Sequence, residues 1–368
     1  MVKLLHISAN TYPPLDGKHH FTKEIWKELA KGFDEYHVLA RSETNNYSYS
    51  NEGNIHLHLV PRLTQKSKVF FFTSFWMFMI IKKYKITHLL SQCPIVGGFT
   101  ASLASKIFKI PLMVEIHGEE YFRFLKKNSF IVKVMWYSFS TAKKIRSLNG
   151  QMTNKLKSYH IVEKVVEIPN RVNLNIFNEQ KKDFSLGNRI KFISVGRFVW
   201  EKDYLNLIKV LHDSNINFSL TLIGGGPLKS EYEKYIFENK LNSNITLIDW
   251  IEQKDMIDLI IESDIYIQSS VSEGMPRTIL EAMALQMPII STNVGSILGV
   301  LKNSKNSIIV NSNDKKELLD AIKLLISDDK LRKSIAIEAY QDVAKKYEWN
   351  KIFELYRNEI KSMKYENS

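Results

Sequence analysis

DIYIQSSVSEGMPRTILEAMALQMPIISTN, residues 264–293, is a strand, a loop, a helix and a strand in one pass. DIYIQSS is an apolar run of strand length, and PIISTN is another. Between them Pro276 suits the first turn of a helix, where its missing N–H costs nothing. Leu280, Met283, Ala284 and Met287 then form an apolar stripe at helical spacing. Two glutamates, Glu273 on the loop and Glu281 inside the helix, stand eight positions apart across Gly274 and Pro276. An amphipathic helix does not need that arrangement. A helix start offers free N–H groups and the positive end of a dipole, which suits a phosphate. Glu281 would lie roughly 7 to 8 Å further along the axis. A nucleotide sugar fits this layout, with its diphosphate at the helix start and a hydroxyl-rich ring on each side, because carboxylates accept bonds from hydroxyls. The plainer reading is a pair of surface glutamates.

Outward from this block the same rhythm continues. KFISVG (191–196), FSLTLIGG (218–225) and NITLID (244–249) are strand-like, and YLNLIKVLHD, PLKSEYEKYIFENK and MIDLIIES are helical. Strand and helix alternate as in a parallel α/β sheet. Gly196, Gly224 to Gly226 and Gly295 follow strand ends, where ligands sit in such sheets. SVGRFVWEKDY (194–204) places Arg197 and Lys202 five apart after a strand, a pair able to clamp a diphosphate and stabilise it as a leaving group. Ordinary surface charges at a helix entrance are the alternative.

The N-terminal half repeats the pattern less cleanly. LLHIS (4–8), YHVLA (36–40), HLHLV (56–60), THLLSQ (87–92) and LMVEIHG (112–118) read as strands, and KEIWKELAKGF and GGFTASLASKIF as helices. At 368 residues the chain suits two domains. The segment 166–188 begins as strand and turn and ends polar, so the interdomain linker falls there. The last pattern, WNKIFELYRNEIKSMK (349–364), is an amphipathic helix with no strand after it. One cysteine, Cys93, rules out an internal disulfide framework and suits a reducing compartment. The opening MVKLLHISANTYPP reads as a first strand rather than a secretory signal. The net charge of +12 is uneven: residues 1–171 hold 25 Lys+Arg against 12 Asp+Glu, and the rest 26 against 27. Such asymmetry points to a polyanionic partner, or to a basic face kept for solubility.

These elements together resemble the retaining glycosyltransferases of family 4. SVGRFVWEK is similar to that family's Gly-Arg–Glu-Lys element, IGGGPLKSEYE (223–233) to its glycine turn, and residues 272–296 to its E-x7-E block. IPNRVNLNIF (168–177) is similar to its interdomain signature, LLHISANTYPP (4–14) to its opening, and VEIHGEE (114–120) to its His-Gly-acid turn. The resemblance runs over nearly the whole chain, in order. It implies an α/β protein of GT-B fold: two Rossmann-like domains facing across a cleft, with a C-terminal helix returning to the N-terminal domain. The domains would be 1–170 for the acceptor, 171–348 for the nucleotide sugar and 349–368 for the returning helix. The implied reaction moves a hexose from a nucleotide-diphosphate sugar to a lipid-linked or oligosaccharide acceptor, with retention, in bacterial surface polysaccharide assembly such as O-antigen, lipopolysaccharide or capsule. By the same resemblance Glu273 contacts the donor sugar. Gly274, Met275 and Pro276 approach sugar and phosphate, Glu281 holds the ribose, and Arg197 and Lys202 bind the diphosphate. His117 lies beside the reacting sugar, and Gly17 sits in a loop closing over the phosphates. No side chain is implied as a nucleophile. The leaving phosphate helps to deprotonate the acceptor in a front-face displacement. No cofactor or metal is expected.

Two departures stand out. The family's Gly-Gly loop is Asp16-Gly17 here, followed by Lys18, His19 and His20. Its Pro-Asn-Gly-Val-Asp signature carries Arg171 and Asn173 in place of Gly and Asp.

KSKVFFFTSFWMFMIIKKYK (66–85) holds a 13-residue run, Val69 to Ile81, that is too short to span a bilayer, which takes about 20 residues. As a helix it is apolar nearly all round, hence either buried or partly in lipid. Its flanking lysines favour an anionic membrane surface. The alternative is a core helix. Arg123, Lys126, Lys127, Lys133, Lys143 and Lys144 would extend the same face. The expected location is cytoplasmic, peripheral on the inner face of the cytoplasmic membrane. His19, His20, His56 and His58 show no metal-ligand spacing, and no aspartate pair is set up for a metal. Nucleic-acid binding is not expected, since no recognised module accompanies the basic half. A nucleotide-sugar epimerase of the same fold and a non-catalytic polyanion-binding homologue are the other readings.

Overall fold

The computed structural model describes residues 1–13, 15, 21–61, 74–118, 130–158, 163–181 and 183–365. The chain divides into two compact units: Met1–Pro169 with Asn350–Ser368, and Asn170–Trp349.

In the second unit, six described strands form one sheet: β9 (Ile190–Val195), β10 (Phe218–Ile223), β11 (Ile245–Ile248), β12 (Ile265–Gln268), β13 (Ile289–Thr292) and β14 (Ile308–Val310). Their order is β11-β10-β9-β12-β13-β14, and every pairing is parallel. The chain builds outward from β9 to β11, then returns to add β12 on the other side of β9. Strand order therefore reverses between β9 and β12. In open α/β sheets the crevice beyond the carboxyl ends at such a reversal is where ligands bind. Strands buried on both faces are near-continuous apolar runs, as in Phe192, Leu220, Leu222, Ile265, Ile267 and Ile290. The helix Tyr204–His212 packs Leu207 and Leu211 into that core.

In the first unit, eight described strands run β3-β4-β2-β1-β5-β6-β7-β8. They are β1 (Lys3–Tyr12), β2 (Glu35–Ser42), β3 (Ser48–Glu52), β4 (Ile55–Val60), β5 (His88–Ser91), β6 (Leu112–Glu115), β7 (Lys144–Ser147) and β8 (Val165–Glu167). Only the edge strand β3 is antiparallel to its neighbour. Here the order reverses between β1 and β5. The last helix, Trp349–Lys361, contributes its later turns to this unit: Arg357 Nη1 donates to the Glu28 carbonyl at 2.8 Å, and Lys144 Nζ pairs with Glu359.

Three strands differ from expectation. β3 (SYSNE) is polar, KIRS in β7 puts two cations in four residues, and β14 (IIV) is apolar but only three residues long. The segment 66–85 is described in part. Its described helix, Ser74–Tyr84, buries one apolar side and exposes another. Met77, Ile80 and Ile81 are buried, while Phe75 is 63% and Met79 42% exposed. Trp76 stacks on Tyr47 at 4.4 Å and Phe78 meets Phe108 edge-on. One stripe thus joins the core and another stays outside. The rest of the run, together with Arg123, Lys126 and Lys127, lies outside the described residues. Among the described residues no helix is long and apolar enough to cross a membrane.

Candidate active site

Lys202 and Glu273 come from the two strands that flank the reversal in the second unit. After β9 the chain turns through Gly196, Arg197 and a single helical turn, Trp200–Lys202. After β12 it runs through Ser269 and Ser270 to Glu273. Two bonds stitch the exits together: Val271 N–H to the Glu201 carbonyl at 2.8 Å, and the Ser269 hydroxyl to the Lys202 carbonyl at 2.9 Å. Lys202 Nζ then lies 2.6 Å from Glu273 Oε1. Gln268 Nε2 and the Ser270 hydroxyl donate to the same oxygen, each at 2.6 Å. Three donors thus hold one carboxylate oxygen, Oε1. Gln268 is set in turn by Tyr266, whose hydroxyl lies 3.3 Å from its Oε1. Lys202 and Glu273 are nearly buried, at 15% and 11% side-chain exposure, so their attraction is less screened than on an open surface.

Glycines permit this closeness. A Cβ on Gly196 would fall 2.9 Å from Lys202 Cε. Gly295 has φ +57°, and a Cβ there would lie 1.8 Å from the Glu273 carbonyl oxygen. Any other residue would push the Glu273 loop away. The loop is held from its far side as well: Ser296 N–H donates to the Gly274 carbonyl at 3.1 Å, and Asn170 Nδ2 to the Met275 carbonyl at 2.6 Å. Met275 is buried. Pro276 caps the helix Arg277–Ala284 from an extended conformation rather than occupying its first helical position. Glu281 lies on that helix, partly buried. Burial pushes its carboxyl above the ordinary value, and Arg277 one turn earlier offsets this only in part.

Lys202, Glu273, Gly274, Met275 and Pro276 are therefore one connected constellation, with Glu281 further along the helix and Arg197 exposed at the end of β9. Gly17 lies outside the described residues, as do Asp16, Lys18, His19 and His20. Gln268, Ser270 and Asn170 were not anticipated. Alternation in DIYIQSS was the available signal, since it puts 268 and 270 on one side of the strand.

His117 follows β6 in the first unit and is exposed. Its Nε2 lies 3.2 Å from Oε2 of Glu115, which is buried at the strand end. Glu115 Oε1 accepts from Arg146 Nη1 and from the Tyr356 hydroxyl. Burial alone would raise the Glu115 carboxyl. The hydrogen bond from His117 and the Arg146 guanidinium outweigh that and hold it well below the ordinary carboxylate range. Arg146 also donates from Nε to the Ile168 carbonyl at 2.9 Å and from Nη2 to that of Pro169 at 3.2 Å. Glu115 and Arg146 are direct partners in the parallel pairing of β6 and β7.

A second histidine group corrects an expectation. His56 does belong to a cluster: Glu35, His37 and His56 bring ligand-type atoms within 4.8 Å, with His58 outside that group. The pairing of β2 with β4 sets His37 beside His56. Hydrogen bonds already use these groups. Tyr47 OH meets His58 Nδ1 at 3.0 Å, His58 Nε2 meets His37 Nδ1 at 3.0 Å, and His37 Nε2 meets Glu35 Oε2 at 3.0 Å. Lys3 Nζ takes the other Glu35 oxygen at 2.5 Å. A cation there would displace a satisfied chain and face an ammonium group.

Residues 176–342 match the family described as glycosyl transferases group 1. A relative named an uncharacterized glycosyltransferase of Methanocaldococcus jannaschii is 26% identical over 344 residues, covering 92% of this chain and 93% of that protein. The UDP-Gal:alpha-D-GlcNAc-diphosphoundecaprenol alpha-1,3-galactosyltransferase of Escherichia coli is 26% identical over 271 residues, 68% of each chain. Among solved structures, sucrose-phosphate synthase from Thermosynechococcus elongatus superposes with a TM-score of 0.81 at 15% identity, over 99% of this chain and 100% of that one. Residues 176–342 thus resemble the glycosyl transferases group 1 family, and the chain shares the GT-B fold of the solved structures that superpose on it.

Proposed function

We propose that the chain is a glycosyltransferase that moves a hexose from a nucleotide-diphosphate sugar to a lipid-linked glycan, with retention at the anomeric carbon. The observation that carries the reading is the Lys202–Glu273 contact at the β9/β12 reversal. There a carboxylate, a cation and a helix start converge. An ammonium carries three donors, so Lys202 can hold Glu273 and still give a proton to a phosphate oxygen. Arg197 supplies the second cation for the diphosphate, which reduces the cost of its departure and removes the need for a metal. Glu273 Oε2 accepts from donor-sugar hydroxyls, the backbone of Gly274 to Pro276 approaches sugar and phosphate, and Glu281 accepts from the ribose. His117 lies beside the reacting sugar, and Gly17 near the phosphates. The departing phosphate takes the acceptor's proton.

The E. coli relative's undecaprenol-linked substrate supports a lipid-linked acceptor here, in surface polysaccharide assembly. The basic first half and exposed Phe75 and Met79 support peripheral contact with the inner face of the cytoplasmic membrane. An epimerase of the same fold would need no acceptor, and a binding-only homologue would not need the donor-side charges that are present.

The test is ligand-observed NMR with UDP- and GDP-sugars, without acceptor. One donor should bind, and binding should be lost in Arg197→Ala. A folded protein that binds none of the donors overturns the reading.

A further inference from the structure

We infer that Glu115 is a positioning residue for His117: it fixes the imidazole proton on Nε2, so that Nδ1 is the atom offered to the substrate. The inference rests on the proposed place of His117 beside the donor sugar and adds how that ring is aimed.

The observations are geometric. His117 is exposed, 41% at the side chain, yet its Nε2 is tied to a carboxylate that is itself 3% exposed. Both oxygens of Glu115 are used, Oε2 by His117 and Oε1 by Arg146 and Tyr356. The carboxylate cannot swing away, because two partners on different elements hold its other end. Arg146 is held as well, by two carbonyls at residues 168 and 169 and by the Tyr356 ring, 4.7 Å from its Cζ. An ionised carboxylate only accepts. The proton between Glu115 and His117 therefore belongs to Nε2, and a neutral His117 has its lone pair on Nδ1. Which nitrogen of a histidine carries the proton is set by the bond the other makes. An Nδ1 lone pair accepts a hydrogen bond from a hydroxyl and cannot donate one, which suits a sugar hydroxyl and disfavours a bare phosphate oxygen.

Arg146 and Tyr356 thereby act through Glu115. Arg146 binds the two carbonyls next to the point where the chain leaves the first unit, and Tyr356 lies just after the point where it returns. The ring's orientation thus depends on both passages of the backbone being in place.

The experiment uses the full chain labelled with 15N-histidine, and long-range 1H–15N correlation at neutral pH, with His117→Gln identifying the ring's signals. The wild-type ring should show the Nε2–H pattern. In Glu115→Gln the preference for Nε2–H should be lost and kcat should fall by about 100-fold, the scale of a misplaced reacting group, with donor KM within about threefold. Tyr356→Phe keeps the carboxylate and removes one anchor. It serves if Glu115→Gln does not fold, and should lower kcat about three- to tenfold without altering donor KM. An Nδ1–H ring in the wild type, or unchanged kcat in both folded variants, overturns the inference. His117→Ala separates the two claims: full turnover there would remove His117 from the reaction, while the tautomer measurement still decides whether Glu115 sets the ring.

Discussion

Tyr356 donates its hydroxyl proton to Oε1 of Glu115, 241 positions earlier in the chain. The bond is buried and charge-assisted, and it seats the last helix on the end of β6. Removing it by Tyr356→Phe should cost about 1.5–3 kcal/mol, the range for a hydrogen bond to a charged group. Urea unfolding followed by a probe in the first unit would measure it. An unchanged midpoint would mean the hydroxyl does not hold the carboxylate.

Arg146→Met should be worse. It leaves the Glu115 carboxylate buried without its guanidinium, and breaking such a pair from one side costs about 3–5 kcal/mol. Arg146→Met with Glu115→Leu should recover much of that loss. A double variant no better than the single one would show that the pair is not the main issue.

The donors on Glu273 are not equal. Lys202→Met should lower kcat/KM for transfer by at least about 100-fold, because it removes a cation aimed at developing charge. Ser270→Ala removes one neutral hydroxyl and should cost about tenfold or less. Equal losses would mean that Lys202 only holds the loop.

Gly295→Ala needs no ligand to be informative. At φ +57°, with the Glu273 carbonyl in the way, the methyl group should destabilise the second unit by more than about 1 kcal/mol and reduce donor affinity. Full affinity in this variant would mean that the Glu273 loop can shift without harm.

His6 predicts a pH dependence. Burial holds its imidazole down to about 4, with Glu115 opposing and His117 and Arg146 adding to the shift. Its Nδ1 lies 2.5 Å from the Tyr36 hydroxyl. The folded ring stays neutral while the unfolded one protonates near its ordinary value of about 6.5. Its contribution is therefore complete above pH 6.5 and is lost as pH falls toward about 4, by roughly 3 kcal/mol at most. His6→Asn should flatten stability against pH in that window. An unchanged slope would assign the acid loss elsewhere.

The second unit was the more legible in sequence, because strands buried on both faces leave apolar runs such as KFISV and helices between them keep a 3.6-residue stripe. Lys202 and Glu273 were legible as residues after strand ends. Their direct contact was not, because it depends on β12 returning to pair with β9 across two intervening strands and three α-helices. The same limit hid Glu115 with Arg146 and His37 with His56. Each pair is matched by the register between parallel strands, which alternation along one strand does not encode. Tyr356 looked like one more residue of an amphipathic helix, since nothing local marks a hydroxyl that reaches a carboxylate so far back.

The first unit is assembled from both ends of the chain, with the second unit inserted between residues 169 and 350. This sets an order of events on the ribosome. At about 5–20 residues per second, the interval between those two points is on the order of ten to forty seconds. The second unit is contiguous and can complete itself in that time. The first cannot, because Glu115 and Arg146 wait for a hydroxyl that has not yet been made. A nascent chain stalled before residue 350 would present an unfinished first domain to chaperones and proteases.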